Sequence, residues 1–169
     1  MDEVILVDSK DNQIGVCEKL EAHQKGLLHR AFSVFIFNDK KEWLLQQRAD
    51  DKYHSGGLWS NTCCSHPKPN ETIEAAASRR LFEEVGLKTK VERKFSFEYT
   101  CSFEDGLIEN ELDHIFIGNT EQIPALNLDE IQEMKFISYD DLKNEIQNNP
   151  NNFTVWFKLI YERVWKDYQ

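Results

Sequence analysis

A thiol and an imidazole lie two positions apart in the segment NTCCSHP, at Cys64 and His66. In an extended chain, residues at this spacing project to one face, so Cys63 points to the other side. Thiols and imidazoles can move protons or bind metals near neutral pH. The alternative is that Cys64 is structural, because free cysteine is among the most buried residue types. The shared face predicts that Cys64 and His66 belong to one site.

Two adjacent carboxylates, Glu83 and Glu84, fall in the last turn of a helix predicted over residues 72–85. Apolar residues recur there at helical spacing, and Gly86 stands where a glycine commonly ends a helix. The helix dipole disfavours negative charge in the last turn, and such local conflicts tend to mark functional sites. A solvated acidic pair is the alternative.

Three histidines and two glutamates offer metal ligands at separate places in the chain. His23 and His29 are six residues apart, so they can share an ion only if the chain reverses near the glycine between them. Glu109 and Glu111 are two apart in a strand-like segment, which directs both carboxylates to one side. Together with His66 they make a mixed nitrogen and oxygen set that fits a six-coordinate divalent ion better than tetrahedral zinc. Surface histidines and a solvated acidic strand are the alternatives.

Cations could gather an anion locally although the formal net charge is −10. The candidates are Lys19, Arg48, Lys52 and Arg80. Arg80 lies one helical turn before Glu84, so it either forms an i,i+4 salt bridge or binds phosphate beside a carboxylate-bound metal. The negative charge argues against general nucleic-acid binding.

The elements that must position these groups follow an order of strands, a helix, strands and two helices. Strands are predicted over residues 4–7, 14–20, 31–37, 43–48, 107–117 and 131–137, with 88–103 as one long strand or two shorter ones. Further helices are predicted over residues 139–147 and 153–165, and loops over 21–30 and 49–58. This order predicts an α+β fold, a mixed β-sheet sandwich flanked by helices, in a single domain spanning residues 1–169.

The spacing of the cysteines and the hydropathy of the chain indicate the cellular compartment in which the protein is expected. The start of the chain has no basic, apolar leader, and no apolar run is long enough to span a bilayer. The four cysteines lack the spacing of a disulfide framework, so we expect reduced thiols and a cytoplasmic location. Cys17, Cys63 and Cys101 are assigned to packing, and His54 and His114 receive no role.

The helix and the residues just before it resemble a Nudix box. The residues that match its first glutamate, its arginine and its final pair are Glu71, Arg79, Glu83 and Glu84. Two positions depart from the pattern, because Ser65 stands at the leading glycine and Arg80 replaces the glutamate after the arginine. In Nudix hydrolases that glutamate helps to hold magnesium, so its absence argues against hydrolysis.

These departures, with the segments EAHQKGLLHRAFS, NTCCSHP and ENE in the same order, are similar to one Nudix branch, the type 1 isopentenyl-diphosphate isomerases. The resemblance covers nearly the whole chain. That family interconverts isopentenyl and dimethylallyl diphosphate by adding and removing a proton. The resemblance implies an isomerase with a small isoprenoid diphosphate as substrate, no nucleic acid or membrane as partner, and a monomeric or homodimeric state.

The resemblance also implies a role for each matched residue. Cys64 and Glu111 would act on opposite faces of the substrate, with the Tyr99 hydroxyl nearby. The ligands of a tightly held Mn²⁺, Zn²⁺ or Mg²⁺ would be His23, His29, His66, Glu109 and Glu111. Glu84 would bind a Mg²⁺ that arrives with the diphosphate, and Trp156 would lie over the hydrocarbon end. The diphosphate clamp would consist of Lys19, Arg48, Lys52 and Arg80.

Two other functions compete with the isomerase. One is a Nudix hydrolase that cleaves a nucleoside diphosphate derivative, and the other is a non-catalytic binding module stabilised by a metal. In the binding module Cys64 would be incidental, so Cys64→Ala would leave its function intact. We also expect the N-terminal strands and the segment between His23 and His29 to become ordered only with metal bound, because both imidazoles lose their shared partner without it.

Overall fold

The computed structural model describes residues 2–169 as a mixed β-sheet with helices on both faces. The strands are β1 (Glu3–Val7), β2 (Gln13–Glu18), β3 (His29–Phe37), β4 (Trp43–Arg48), β5 (Trp59–Ser60), β6 (Cys63–Ser65), β7 (Val91–Ser102), β8 (Ile108–Asn119) and β9 (Ile131–Ile137). The α-helices are α1 (Lys19–Lys25), α2 (Ile73–Val85), α3 (Tyr139–Asn148) and α4 (Val155–Tyr168), with a 3₁₀ turn at Pro150–Asn152. Within this described part, no helix has the length and apolar character needed to cross a membrane.

Strand β3 organises the sheet because it pairs along both of its edges. On one edge it runs parallel to β8 over its whole length, and on the other it meets β1, β6 and β4 in turn. The register places His29 of β3 opposite Glu111 of β8, and Tyr99 of β7 opposite Glu111 from the other side. Three chemically active side chains therefore form one row across three neighbouring strands.

The two faces of the sheet carry separate apolar cores, as the alternation of side chains along a strand requires. Phe35, Leu45 and Ile115 pack on one face with residues of α3 and α4. Phe32 and Phe116 pack on the other face with the apolar side of α2. This arrangement confirms the predicted α+β fold with a mixed sheet between helices.

Helix α2 matches its sequence prediction because both of its ends carry specific capping groups. The Thr72 hydroxyl accepts a hydrogen bond from the Ala75 amide at 3.3 Å, and Gly86 ends the helix with a φ of 67°. Ahead of the helix, Glu71 accepts hydrogen bonds from Arg79 at 2.7 and 2.8 Å. The helix and the segment before it are thereby tied into one unit.

The prediction was wrong for residues 19–25, which form α1 instead of the end of a strand and a loop. The carboxylate of Glu18 caps the helix by accepting from the amides of Leu20 and Glu21. Glutamate is not among the preferred N-cap residues, so the helix start gave no recognisable pattern. Gly26, with a φ of 63°, ends α1 and reverses the chain, which brings His23 next to His29.

Three further details complete the comparison with the predicted elements. The consecutive strands β3 and β4 pair only at Phe37 and Trp43, because β4 continues beside β5 and β9 instead. Residues 88–103 form one strand, β7, with an irregularity between Arg93 and Phe95. The terminal helix begins two residues later than predicted and continues to Tyr168.

We expect Gly86→Ala to destabilise the fold more than Gly106→Ala does. Both glycines have positive φ, so either substitution costs about 1–2 kcal/mol in backbone strain. A Cβ at Gly86 would also lie 2.8 Å from the Ala125 Cβ, whereas a Cβ at Gly106 has nothing within 4 Å. Urea unfolding of both variants measures the difference, and equal losses of unfolding free energy would contradict the close approach at Gly86.

Candidate active site

A buried hydrogen-bonded row at one end of β3, β7 and β8 forms the base of the site. The Glu111 carboxylate contacts His66 Nε2 at 2.9 Å and His29 Nε2 at 3.5 Å through the same oxygen. The Tyr99 hydroxyl lies 2.9 Å from the other Glu111 oxygen and 2.7 Å from Glu109 Oε2. The strand register thus brings both predicted carboxylates and the predicted tyrosine together.

The donor set of this row fits a divalent metal ion. One ligand atom from each of His23, His29, His66 and Glu111 lies within 4.8 Å of the others. His23 Nδ1 lies 2.7 Å from the Lys19 carbonyl oxygen, and His29 Nδ1 lies 2.8 Å from that of Leu27. These contacts favour a proton on Nδ1 of each ring and direct the Nε2 lone pairs into the cluster, where that of His23 lies 3.2 Å from the Tyr53 hydroxyl. His29 Nε2 is buried and has no hydrogen-bond partner among residues 2–169, so this atom is available to a metal ion.

The protonation states in the cluster suit metal binding. Burial alone would raise the pKa of Glu111, but the neighbouring His29 and His66 hold it well below its usual range. Burial lowers the pKa of His66 to about 3 and also lowers that of His23. Burial would lower the pKa of His29 as well, but the hydrogen bond and the charge of Glu111 raise it. The ionised carboxylate and the neutral imidazoles of His23 and His66 have the form in which these side chains bind metal ions, and an ion bound there would replace the proton that Glu111 favours on His29.

Cys64 lies in β6 opposite Ser33 and lines a cavity above the row. All predicted site residues line this cavity except His23 and His29, which are fully buried beneath it. Burial raises the pKa of the Cys64 thiol to about 12, so the group is a neutral thiol at physiological pH. Cys63 is completely buried in the core beside α2, as the parity of the two cysteines predicted.

The amide of Asn61 links the thiol to the aromatic wall of the cavity. Its Oδ1 lies 3.7 Å from Cys64 Sγ and accepts hydrogen bonds from Trp156 Nε1 at 3.3 Å and Ser60 Oγ at 2.9 Å. Its Nδ2 donates to the carbonyl oxygens of Val34 and Cys63. Asn61 therefore fixes the thiol and the indole relative to each other.

The four predicted cations all belong to the wall of the same cavity. Lys19, Arg48, Lys52 and Arg80 all line it. The Arg48 guanidinium lies 5.3 Å from the Trp156 ring centroid, and the Lys19 ammonium lies 5.0 Å from that of Tyr53. Burial lowers the pKa of Lys19. An anion in the cavity would reduce the cost of holding these charges together.

Arg80 forms the salt bridge that its spacing from Glu84 predicted, and its side chain also lines the cavity. Its Nη2 donates to Glu84 at 2.5 Å and to Glu130 at 3.1 Å, and Glu130 also pairs with Lys52. Burial raises the pKa of Glu84, against the opposing charge of Arg80. The salt bridge is therefore part of the cavity wall, and Glu130 joins two of the cations.

The sequence did not identify four residues of this region: Tyr53, His54, Asn61 and Glu130. Tyr53 and His54 belong to a segment that resembled an ordinary polar loop, and Glu130 to a connection without periodicity.

Asp113 is a further residue near the site, and its position in the sequence could have indicated it. It lies two residues after Glu111 on β8, so its side chain projects to the same face as those of Glu109 and Glu111. This carboxyl is buried and accepts a hydrogen bond from Ser33 Oγ at 2.7 Å. Burial and the nearby Glu111 raise its pKa well above its usual range.

Comparison with known proteins places the chain in a class. The profile of the NUDIX domain matches residues 27–157. Among solved structures, the DR0079 protein of Deinococcus radiodurans has a TM-score of 0.72 at 14% identity, over 88% of this chain and 90% of that one. A MutT protein from Methanosarcina mazei has a TM-score of 0.67 at 17% identity, over 84% and 96% of the two chains. The fold and the sequence profile together define a NUDIX domain.

Two curated relatives narrow the class further. The isopentenyl-diphosphate Delta-isomerase of Pectobacterium atrosepticum is 49% identical over 162 residues, which span 96% of this chain and 90% of the relative. Isopentenyl-diphosphate Delta-isomerase 2 of Photorhabdus laumondii is 50% identical over 95% of this chain and 91% of its own length. The chain belongs to the isopentenyl-diphosphate Delta-isomerase family of NUDIX-domain proteins, which confirms the resemblance found in the sequence.

Proposed function

We propose that the protein interconverts isopentenyl and dimethylallyl diphosphate by protonation and deprotonation. The observation that carries the proposal is the single cavity that holds a neutral thiol, a carboxylate with a tyrosine, and a cluster of cations. The cations suit a diphosphate, and the deeper groups suit proton transfer to a hydrocarbon chain. Membership of the isomerase family supports the same reaction.

Proton transfer on each side of the alkene explains why two groups are needed. A proton added to the terminal CH₂ of isopentenyl diphosphate gives a tertiary carbocation, and loss of a proton from the adjacent allylic carbon gives dimethylallyl diphosphate. We assign these transfers to Cys64 and to Glu111 with its hydrogen-bonded Tyr99. The thiol is protonated at neutral pH, and Tyr99 can pass a proton along its bond to Glu111. The reverse reaction uses the same groups in the opposite sense.

Trp156 suits the hydrocarbon end of the substrate. Its indole is buried in the cavity wall, and Asn61 fixes it by a hydrogen bond. An aromatic face attracts a cation more strongly than a neutral alkene, so the ring would lower the energy of the carbocation relative to the substrate.

Two metal sites form part of the proposal. The first is the His/Glu set of His23, His29, His66, Glu109 and Glu111, which suits Mn²⁺, Zn²⁺ or Mg²⁺. When bound there, a divalent ion would increase the acidity of a coordinated group. The second is Glu84, since Mg²⁺ often binds one or two carboxylates together with substrate phosphate oxygens.

The identity of residue 80 argues against the hydrolase alternative. Nudix hydrolases have at this position a glutamate that helps to hold magnesium, whereas here Arg80 lines the cavity and pairs with Glu83 at 3.0 Å and with Glu84 at 2.5 Å. A non-catalytic binding module would not require Cys64 and Glu111 to be held by hydrogen bonds in one cavity, as they are here.

We expect Lys52→Ala to raise KM for isopentenyl diphosphate by about 10–100-fold, because a hydrogen bond to a charged group contributes about 1.5–3 kcal/mol. Lys52 lines the cavity beside Arg48 and Arg80. Lys40→Ala is the matched control, since Lys40 is exposed in the turn between β3 and β4. Initial-rate kinetics measures both variants, and an unchanged KM in Lys52→Ala would remove Lys52 from the clamp.

Metal removal should loosen the part of the chain that carries His23. We expect faster amide hydrogen exchange in β1, β2 and α1 after chelation, because the buried imidazoles of His23 and His29 lose their common partner. Mass spectrometry of the exchanged protein, with and without restored metal, measures the effect. Equal protection in both forms would contradict the expectation.

Product analysis tests the proposed function. Purified protein is incubated with isopentenyl diphosphate and Mg²⁺, with Mn²⁺ in a parallel sample, and phosphorus and proton NMR follow the products. Dimethylallyl diphosphate without free phosphate is the expected result. Release of phosphate would favour the hydrolase, and the absence of any conversion would contradict catalysis.

The cytoplasmic location, the single-domain organisation and the oligomeric state stay predictions from the sequence.

A further inference from the structure

The segment between β4 and β5 carries a buried histidine that the proposed chemistry does not use. The His54 side chain is only 3% exposed. Its ring stacks on Phe103, with a centroid distance of 4.6 Å and an interplanar angle of 10°, and meets Trp156 edge-on at 5.9 Å. The two aromatic rings hold the imidazole in one orientation, with its edge toward the metal-binding row.

The free edge of this ring lies against one of the proposed metal ligands. His54 Nε2 is 2.9 Å from Glu109 Oε1, and His54 Nδ1 is 3.3 Å from Ser55 Oγ. Two ligands at right angles on one ion, each with a bond of about 2.1 Å, lie about 3 Å apart. The His54–Glu109 separation therefore matches the spacing of neighbouring ligands on a common ion.

His23 connects His54 to the rest of the donors. Ligand atoms of His23, His54 and Glu109 lie within 4.8 Å of one another, as do those of His23, His29, His66 and Glu111. His23 belongs to both groups but can offer only Nε2 to an ion, because its Nδ1 is bonded to the Lys19 carbonyl. The two groups therefore meet at one nitrogen, and a single ion bound to it is the arrangement that can draw on the donors of both.

We propose that His54 is a sixth protein ligand of this metal centre. The proposal rests on the proposed His/Glu centre and extends it to His23, His29, His54, His66, Glu109 and Glu111. Six donors complete the coordination of an octahedral divalent ion, and two carboxylates balance its charge in a buried site. Four imidazoles favour a transition-metal ion over Mg²⁺, which prefers oxygen ligands.

A complete set of protein ligands has a consequence for the reaction. With every position filled by the protein, neither water nor the substrate diphosphate binds this ion, as in closed structural sites. The centre then serves to hold Glu111 in place and to set its acidity. Diphosphate binding falls to the cations that line the cavity and to the Mg²⁺ proposed at Glu84.

Cadmium-113 NMR counts the bonded nitrogens directly. Protein labelled with nitrogen-15 histidine is stripped of metal and loaded with cadmium-113, whose nuclear spin splits the signal of each nitrogen bonded to it. We expect four of the five histidines to show a split ring nitrogen and His114 to show none. The His54 signal is assigned by its loss in His54→Phe, which retains an aromatic ring against Phe103.

The possible outcomes distinguish a failure of His54 as the sixth ligand from a failure of the whole metal centre. If His23, His29 and His66 are split but His54 is not, the centre stands and the proposal is wrong. If no histidine is split, the centre fails and the proposal fails with it.

Metal affinity gives a second measurement that does not depend on turnover. Competition with a chelator for Zn²⁺ should show at least about 10-fold weaker binding in His54→Phe, since loss of even an outer-shell partner costs about 10–100-fold. His114→Ala is the matched control, because His114 is also a buried histidine beside a carboxylate, Asp11, but lies outside the site. Unchanged affinity in His54→Phe, or equal losses in both variants, would overturn the proposal.

Discussion

Cys64→Ala is expected to lower kcat for isopentenyl diphosphate by about 10²–10⁴-fold, the usual contribution of one acid–base group. The thiol is a half-buried group of the cavity wall, and its raised pKa keeps it protonated at neutral pH. Alanine removes the proposed proton carrier on one face of the substrate but leaves the cations proposed to bind the diphosphate. KM should therefore change much less than kcat, and steady-state kinetics measures both.

Cys101→Ala is the matched control for the thiol. Cys101 is a half-buried cysteine on β7, opposite Glu109 in the strand register, but it does not line the cavity. The control should keep the kinetic constants of the unmodified protein. Near-normal kcat in Cys64→Ala would show that the thiol is incidental, as a non-catalytic binding module requires.

Glu111→Gln is expected to have a larger effect, a loss of about 10³-fold or more in kcat, because Glu111 is proposed both to carry a proton and to bind the metal ion. Glutamine has nearly the same shape but cannot be ionised. It therefore loses the negative charge that faces His29 and His66, and with it part of the affinity for a divalent ion. Kinetics and a chelator competition together measure the two losses.

The affinity for a divalent ion distinguishes the Cys64→Ala variant from the Glu111→Gln variant. Cys64→Ala should bind the divalent ion normally, whereas Glu111→Gln should bind it more weakly. Glu98→Gln, at an exposed position of the adjacent strand β7, should change neither property. Unaltered metal affinity in Glu111→Gln would contradict its assignment as a ligand even if activity is lost.

The Nudix helix shows how a shared fold can serve a different reaction. Glu71 and Arg79 keep their mutual ion pair, so the architecture of the box is intact. Arg80 stands where the Nudix box has a glutamate, and it pairs with Glu84 and Glu130. This difference exchanges a carboxylate for one of the cations that line the cavity.

Local patterns predicted much of the site because the patterns and the structure share a physical cause. The parity of Glu109 and Glu111 placed both carboxylates on one face of β8, and both contact Tyr99. The parity of Cys63 and Cys64 separated a core residue from a cavity residue. The helix before Gly86 followed from apolar spacing and capping, which depend on neighbouring residues only.

Contacts between distant segments could not be predicted in this way. His54 meets Glu109, and Glu130 meets Lys52 and Arg80, through the pairing of strands far apart in sequence. Asn61 resembled an ordinary polar residue until the terminal helix placed Trp156 against it. The α1 helix was missed because a glutamate caps it, and its capping depends on a side-chain orientation that spacing does not show.

Solvent labelling tests the central claim, that the double bond moves by gain and loss of a proton while the diphosphate stays intact. The protein is incubated in D₂O with isopentenyl diphosphate and Mg²⁺, and proton NMR with mass spectrometry follows the product. Thiol, phenol and carboxyl protons exchange with solvent, so we predict dimethylallyl diphosphate with deuterium in its newly formed methyl group and no released phosphate. A product free of deuterium, or release of phosphate in place of isomerisation, would contradict the account.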